Sequence, residues 1–230
     1  MTVRLSRREA IAAGGAVALG GATWALLRDG DDDGQRAASS AAADDSTTTA
    51  DCVLTPEQTE GPYYLDEGLV RRDITEGRPG VPLTLGLKVQ DAECAPLSGA
   101  TVEVWHADAG GVYSGFGEGE GETFLRGGQP TGDDGVASLE TIYPGWYAGR
   151  TVHIHVKVHL DGDEVHTGQL YFDDAITDRV YRDPPYSSRG ERDVTNETDA
   201  IYAAGGADSM LRLTADGDGY VGRLTVGVQT

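Results

Sequence analysis

Two histidines at positions i and i+2 are the residues in this sequence best suited to bind a metal ion. His153 and His155 alternate with apolar residues in the run TVHIHVKV, which starts at Thr151. Alternation with a period of two is typical of a β-strand, in which residues i and i+2 project from the same face. Two imidazoles on one face can bind the same ion. The alternative is a half-exposed strand whose histidines bind no metal, because an HxH motif alone is weak evidence.

A tyrosine and an arginine immediately before this strand favour the metal site. Tyr147 ends the segment Pro-Gly-Trp-Tyr, and Arg150 lies three residues before His153. No cysteine or carboxylate is close enough in sequence to complete a zinc-type ligand set. A tyrosine phenolate is an anionic oxygen ligand, which a hard trivalent cation prefers, and the charge of that cation lowers the phenol pKa. Tyrosine is therefore an alternative way to complete the site, and it suggests ferric iron.

A second tyrosine follows another predicted strand. Residues 102–114, with the sequence VEVWHADAGGVYS, form a strand that runs into a glycine-rich turn and presents Tyr113. His106, at the end of that strand, is expected to be an ordinary strand residue and is only a weak reserve ligand. The alternative for Tyr113 is an ordinary amphipathic tyrosine that packs on a loop.

Short strands separated by turn clusters must position these residues. Apolar and β-branched residues predict strands over residues 83–89, 101–106, 137–142, 151–160, 168–172, 211–213 and 220–228. Clusters of Asp and Gly at 132–135, 161–163 and 216–219 are typical of hairpin turns. No long amphipathic helix is predicted, although residues 198–204 suit a short one. The pattern indicates an all-β sandwich or barrel, and of the two we expect an antiparallel β-sandwich with long loops.

The first 50 residues are not expected to belong to that fold. Arg7 and Arg8 precede a mildly apolar run rich in Ala and Gly, which is typical of a twin-arginine export signal over residues 1–28. The run is short and dilute in Leu, Ile and Phe for a membrane span, and an uncleaved anchor is the alternative. Residues 29–50 lack apolar periodicity and predict a disordered linker. Residues 51–230 then form one domain of a protein exported to the cell surface or the medium.

Cysteine content and charge restrict the remaining possibilities. Cys52 and Cys94 are the only cysteines, and export to an oxidising compartment predicts that they form a disulfide. The formal net charge of −20 argues against nucleic acid or an anionic membrane surface as a partner of the mature protein. Nothing in the sequence favours one oligomeric state over another.

An ordered set of motifs resembles a known family. The motifs are TPEQTEGPYY at residues 55–64, WHADAGGVYS at 105–114, TIYPGWY at 141–147, RTVHIHV at 150–156 and QLYF at 169–172. In this order they resemble the intradiol ring-cleavage dioxygenases, and most closely the protocatechuate 3,4-dioxygenase type. The resemblance covers most of residues 55–228, and the ordered set is much more specific than HxH alone.

The resemblance implies a metal site and an activity. In the family a non-haem ferric ion is held by two tyrosinates and two histidines, and the matching motifs assign these roles to Tyr113, Tyr147, His153 and His155. The implied substrates are a catechol and O2. The ring would open between its two hydroxylated carbons to a muconate-type diacid, and Tyr147 would accept a substrate proton.

Two further residues match the active-site pattern of the family. Arg150 keeps the spacing of the family's arginine ahead of the first histidine, and Gln169 matches the glutamine of QLYF. The resemblance implies that Arg150 stabilises negative charge on the aromatic ring. The alternative is a strand-entry arginine that pairs with one of the many carboxylates.

Two functions from other classes remain as alternatives. One is a non-catalytic extracellular β-sandwich that binds a ligand or polymer through exposed aromatic residues such as Trp146. The other is a divalent-metal hydrolase that uses His153 and His155 and therefore needs a nearby carboxylate.

Overall fold

The structure is a computed structural model that describes residues 52–230. The export signal predicted for residues 1–28 and the linker predicted for residues 29–50 lie outside the described residues. Within residues 52–230, no helix is both long enough and apolar enough to cross a membrane.

Eight strands and several short helices make up the described part of the chain. The strands are β1 (Pro82–Gln90), β2 (Thr101–Trp105), β3 (Arg126–Pro130), β4 (Val136–Ile142), β5 (His153–Leu160), β6 (Asp163–Tyr171), β7 (Arg212–Asp216) and β8 (Gly219–Gly227). Helix α1 spans Asp174–Val180, and short 3-10 helices lie at Gly117–Gly119, Tyr186–Arg189, Asn196–Thr198, Tyr202–Ala204 and Gly206–Ser209.

The strands form two four-stranded sheets, with the orders β4-β1-β8-β7 and β3-β2-β5-β6. Every pair in the second sheet is antiparallel. In the first sheet β1 and β8 run parallel, with Leu83 opposite Tyr220. The predicted all-β sandwich is therefore confirmed, whereas the prediction of wholly antiparallel pairing is wrong for β1 and β8.

Alternating apolar residues from both sheets form the core. Leu85 and Leu87 of β1, Val104 of β2, and Ile154 and Val156 of β5 are each at most 1% exposed and belong to one cluster of buried residues. Because side chains alternate along a strand, the opposite face of β5 carries its histidines and Lys157 away from this core. Burial of these apolar side chains contributes roughly 1.5–3 kcal/mol each relative to solvent exposure.

Residues 55–64, called the covering segment below, lie over the polar face of the second sheet. The segment starts at the first sheet, where the Thr55 amide donates to the Gly227 carbonyl of β8 at 2.8 Å. It reaches the second sheet at Gln58, whose amide donates to the Thr167 carbonyl of β6 at 2.9 Å. A disulfide joins Cys52, just before this segment, to Cys94, with 5.3 Å between the Cα atoms. The predicted disulfide is present. The polar face of β5 is buried, so the alternative of a half-exposed strand is wrong.

Several local predictions differ from the structure. Strand β3 was not predicted, because its sequence RGGQP lacks β-branched residues. The turn at residues 132–135 connects β3 to β4 in different sheets, so only the other two Asp-Gly clusters close hairpins. Residues 198–204, where a short helix was predicted, contain the 3-10 helix Tyr202–Ala204 and only the last residue of the preceding 3-10 helix, and α1 was missed.

Candidate metal centre

The turn after β2 carries Tyr113 into the interior. The Asp108 carboxylate closes this turn, because its Oδ1 atom accepts the amides of Gly110 (2.8 Å) and Val112 (3.0 Å). An ion pair with Arg78 holds the same carboxylate. Tyr113 is 4% exposed, and its hydroxyl has no hydrogen-bond partner among residues 52–230. A buried polar atom without a partner is costly, and a bound ligand or ion would satisfy this oxygen.

The segment that carries Tyr147 lies against that turn. The Gly145 amide donates to the Asp108 carbonyl at 3.1 Å. A Cβ atom at position 145 would lie 2.3 Å from the same carbonyl oxygen, so this close approach requires glycine. As a result the centroid of the Tyr147 ring lies 5.5 Å from that of Tyr113.

The two histidines project from the start of β5, on the face away from the apolar core. Their Nε2 atoms lie 3.2 Å apart, and the Tyr147 hydroxyl lies 3.2 Å from the Nε2 atom of His153. The Nδ1 atom of His153 is 2.7 Å from the Thr151 carbonyl oxygen, so Nδ1 donates its proton there and Nε2 presents a lone pair. The His155 ring stacks on Trp105, with centroids 4.9 Å apart. Three candidate donor atoms therefore converge.

Burial keeps both imidazoles neutral and both phenols protonated. Burial, with a smaller effect of the Arg150 charge, lowers the pKa of His153 to about 3. Burial and the neighbouring His153 lower the pKa of His155 well below its usual value. Burial raises the pKa of Tyr113 well above its usual value, and it is also the main reason that the pKa of Tyr147 is raised. A bound cation would have to displace the phenol protons.

The donor set fits ferric iron. Two neutral imidazoles and two phenols that ionise on coordination provide two nitrogen and two anionic oxygen ligands, which suit a hard trivalent cation. Tyr113, Tyr147, His153 and His155 would hold the ion. The divalent-metal alternative needs a nearby carboxylate, and residues 52–230 contain no group of three or more His, Cys, Asp or Glu side chains that could hold a metal ion.

Arg150 and Gln169 border these donor atoms. The Arg150 Nη2 atom donates to Gln169 Oε1 at 2.6 Å, and Nη1 lies 3.5 Å from the Nε2 atom of His153. The Arg150 Nε atom donates to the Asp199 carboxylate at 2.8 Å. Burial disfavours the charged guanidinium, but the hydrogen bond to Asp199 and the negative charges of Asp199 and the neighbouring tyrosines together outweigh it, so the pKa of Arg150 is raised. A permanent positive charge thus lies beside the donor atoms.

Tyr63 of the covering segment packs on both candidate tyrosine ligands. Its ring stacks on the Tyr113 ring with centroids 4.3 Å apart, and it meets the Tyr147 ring edge-on at 5.8 Å. Tyr63 is half-buried, so it forms the boundary between the donor atoms and solvent.

Two other contacts hold the covering segment close to the histidines. The Gln169 Nε2 atom donates to the Thr59 carbonyl at 2.9 Å. Gly61 has a φ angle of 71°, and a Cβ atom there would lie 3.1 Å from the Cε1 atom of His155. Both the backbone conformation and the small space therefore favour glycine at this position.

His106 does not act as a reserve ligand. Its Nδ1 atom lies 2.8 Å from the Ala107 carbonyl oxygen, and its Nε2 atom lies 2.7 Å from the Thr141 hydroxyl. Because both ring nitrogens already have partners, the prediction of a reserve ligand is wrong.

Sequence reasoning missed two charged residues of this region. Asp199 binds Arg150 from a segment without apolar periodicity. Arg126 of β3 is 3% exposed and donates through Nε and Nη2 to the Ser114 carbonyl oxygen, while its Nη1 atom has no partner within the described part of the chain. No spacing pattern in the sequence links either residue to Tyr113 or to the histidines.

The two sheets and the convergent tyrosines and histidines define a class of protein: a β-sandwich with a buried site suited to non-haem iron. The family described as Dioxygenase matches residues 56–204. A chlorocatechol 1,2-dioxygenase from Cupriavidus pinatubonensis is 30% identical in an alignment of 142 residues that covers 52% of this chain and 56% of that protein. The chain thus spans about half the length of the curated relatives it matches.

Two solved structures are similar over more of their length. The intradiol ring-cleavage dioxygenase from Tetranychus urticae is 34% identical with a TM-score of 0.74, covering 77% of this chain and 95% of its own. The dioxygenase domain of a dioxygenase carbohydrate-binding protein fusion from Streptomyces sp. SirexAA-E is 35% identical with a TM-score of 0.61, covering 77% and 99%. The chain belongs to the intradiol ring-cleavage dioxygenase family, which confirms the family resemblance of the motifs, whereas the closer likeness to the protocatechuate 3,4-dioxygenase type stays a prediction.

Proposed function

We propose that the protein is a non-haem Fe(III) dioxygenase that opens a catechol-type ring between its two hydroxylated carbons. A compound of the catechol class and O2 are its substrates, and a muconate-type diacid is its product. The observation that carries this proposal is the convergence of the Tyr147 hydroxyl and the Nε2 atoms of His153 and His155, with consecutive distances of 3.2 Å. The nearby Tyr113 hydroxyl, without a hydrogen-bond partner among the described residues, supplies the fourth donor. Family membership and the catechol substrates named for the curated relatives support the same reaction.

The two tyrosines differ in a way that suits different roles. Tyr113 is 4% exposed and lies under Tyr63, whereas Tyr147 is half-buried. Tyr147 is therefore the better placed phenol to move aside when substrate arrives and to accept a proton from a catechol hydroxyl. Tyr113 would remain in place and hold the site together.

Activation of the catechol depends on the bound iron and on the charge of Arg150. Ferric iron held by these residues would draw electron density from a bound catecholate and make a ring carbon reactive towards dioxygen. The guanidinium of Arg150 stabilises the negative charge that the catecholate brings into this buried region, because a fixed charge acts strongly where water is excluded. Gln169 fixes the direction of that guanidinium through the 2.6 Å hydrogen bond.

Tyr147→Phe tests the proposal most directly. The variant is expected to shift or weaken the visible charge-transfer band of the iron-loaded protein and to reduce oxygen uptake with catechol by about 10²-fold or more, in the range of lost acid-base catalysis. Tyr220→Phe, at a half-buried tyrosine on β8 outside this cluster, is the matched control and should leave both unchanged. A colourless protein after iron loading, zinc in place of iron, or full activity of Tyr147→Phe would contradict the proposal.

We also propose that the protein leaves the cell through the twin-arginine route. Arg7 and Arg8 before a mild apolar run support it, and the Cys52–Cys94 disulfide is consistent with an oxidising compartment. Replacing both arginines with lysine is expected to leave the folded protein in the cytoplasm, measured by cell fractionation. Unchanged export of that variant would point to another route.

A further inference from the structure

We propose that Asp199 is a positioning residue that holds both Arg150 and the peptide that orients His153. The inference rests on the proposed dioxygenase function, and it adds a residue that none of the sequence motifs contains. Asp199 lies between two 3-10 helices, at a distance in sequence from both groups that it contacts.

The Asp199 carboxylate is buried and fully hydrogen-bonded. Its side chain is 1% exposed. Oδ2 accepts from the Arg150 Nε atom and from the Thr151 amide, each at 2.8 Å. Oδ1 accepts from the amides of Ile201 and Tyr202, each also at 2.8 Å. Burial alone would raise the pKa of Asp199, but these donors lower it, so the carboxylate is charged at neutral pH.

This carboxylate determines where the Arg150 charge lies. With Nε bound to Asp199 and Nη2 bound to Gln169, the guanidinium is fixed on two sides. The remaining Nη1 atom is directed towards the donor atoms and lies 3.5 Å from the Nε2 atom of His153. A planar guanidinium held by two partners has little freedom to turn, so its charge is already in position when the substrate binds.

The same carboxylate also acts on His153 through one peptide. Asp199 accepts the Thr151 amide, and the Thr151 carbonyl accepts the Nδ1 proton of His153 at 2.7 Å. The Thr151 hydroxyl donates to Asn196 at 2.7 Å, which anchors the residue a second time. Loss of the Asp199 charge is therefore expected to disturb Arg150 strongly and His153 only slightly, because Thr151 keeps its contact with Asn196.

Asp199→Asn tests whether Asp199 acts mainly on Arg150 and only slightly on His153. The change keeps the size of the side chain but removes its charge and one of its two acceptor oxygens, so the donors of Arg150 and Thr151 and those of Ile201 and Tyr202 cannot all be satisfied. We expect iron content and the visible band without substrate to stay close to those of the unchanged protein. We expect kcat/KM for oxygen uptake with catechol to fall by about 10²-fold, the size of effect that follows from misplacing a catalytic group. Anaerobic titration with catechol should also show weaker formation of the coloured complex.

Asp193→Asn is the matched control. Asp193 is an exposed carboxylate of the same segment whose Oδ2 atom accepts the Gly149 amide at 3.0 Å, next to Arg150. This variant should keep the kcat/KM of the unchanged protein. The deciding measurement is a double-mutant cycle, in which Asp199→Asn should have almost no further effect on kcat/KM once Arg150 is alanine.

Arg150→Lys covers the case in which Asp199→Asn does not fold. Lysine keeps the charge but lacks the fork that contacts Asp199 and Gln169 together, so a comparable loss of kcat/KM is expected. Three results would each overturn the inference and leave the dioxygenase proposal intact. They are full catalytic efficiency of Arg150→Lys, an unchanged kcat/KM for folded Asp199→Asn, and additive losses of kcat/KM in the double-mutant cycle. If the iron-loaded wild-type protein takes up no oxygen with any catechol, the dioxygenase proposal is overturned, and this inference with it.

Discussion

Strand β5 buries both of its faces, and different parts of the chain cover the two. Ile154 and Val156 on one face are at most 1% exposed and pack in the core between the sheets. His153, His155 and Lys157 on the other face are at most 3% exposed, although every one of them is polar. The covering segment and the two tyrosine-bearing turns close that second face.

Burial lowers the free energy of the folded state on the apolar face of β5 and raises it on the polar face. Apolar side chains gain free energy when they leave water, whereas polar side chains lose hydration and must recover it through partners. Lys157 recovers it through ion pairs with Glu60 at 2.8 Å and Glu164 at 3.0 Å. The Nδ1 atom of His155 has no such partner within residues 52–230. The apolar face thus stabilises the fold, whereas the polar face recovers only part of the hydration that its side chains have lost.

His155→Ala should have the largest effect and should act on the polar face alone. We expect loss of bound iron and of all oxygen uptake with catechol, because no neighbouring side chain can replace the lost nitrogen ligand. Iron content of the purified protein is the measurement, with thermal unfolding to check that the fold persists. His159→Ala, at the outer end of the same face, is the control and should retain iron; retention of iron by His155→Ala would argue against the ligand set.

Removing the disulfide should loosen the cover of the polar face. The Cys52–Cys94 bond closes a loop with a sequence separation of 42. Replacement of both cysteines with serine is expected to lower the free energy of unfolding by about 4 kcal/mol, the entropy expected for a loop of this length. Chemical denaturation of oxidised, reduced and serine forms measures this. If the serine form were as stable as the oxidised protein, the bond would not contribute to holding the covering segment.

Ile154→Ala should affect the apolar face without changing the chemistry of the polar face. Deleting this fully buried side chain leaves a cavity, and we expect the free energy of unfolding to fall by about 3 kcal/mol. Iron content and kcat per folded molecule should remain close to those of the unchanged protein, although Ile154 lies between the two histidines in sequence. A loss of iron without a loss of stability would show that the two faces are not independent.

Lys157→Met should have the smallest effect. Both carboxylate partners of Lys157 are about half exposed, with side chains of Glu60 and Glu164 at 47% and 49%, so they can return to water. Methionine loses the cation–π contact of the Lys157 ammonium, whose Nζ atom lies 3.8 Å from the centroid of the Tyr64 ring, but its polarizable thioether can pack on the same ring. We expect a change of about 1 kcal/mol or less in the free energy of unfolding, and it should shrink as salt is raised. A loss several times larger would mean that the polar face stabilises the fold after all.

The sequence predicted the parts of the fold that depend on local patterns. Strands such as β1 and β5 alternate apolar and polar residues, and the Asp161-Gly162 turn that closes β5 and β6 has positive φ angles of 53° and 92°. Strand β3 was not predicted because it has two glycines where a strand usually has apolar residues. Its strand conformation depends on pairing with β2. The parallel pairing of β1 with β8 leaves no local signature at all.

The candidate site was predicted as far as its motifs extend. Arg150 and His153 lie within a short stretch, and the family resemblance links them to Tyr113 and Gln169. Asp199 could not be identified, because its role depends on a contact across the fold rather than on spacing within a motif. A carboxylate in a segment rich in Asp and Glu carries no distinguishing signal until the three-dimensional structure shows which arginine it meets.

The parallel ladder between β1 and β8 also has a consequence for how the molecule is made. In the first sheet β1 lies between β4 and β8, and Leu83 must find Tyr220 before that sheet is complete. During synthesis β1 leaves the ribosome long before β8 exists, so one edge of β1 stays unpaired until nearly all of residues 52–230 have been made. Contacts between residues so distant in sequence slow folding. Until β8 is made, the unpaired edge of β1 is also a site at which incomplete chains can associate. Nascent chains that stop before Gly219 should therefore depend most on chaperones.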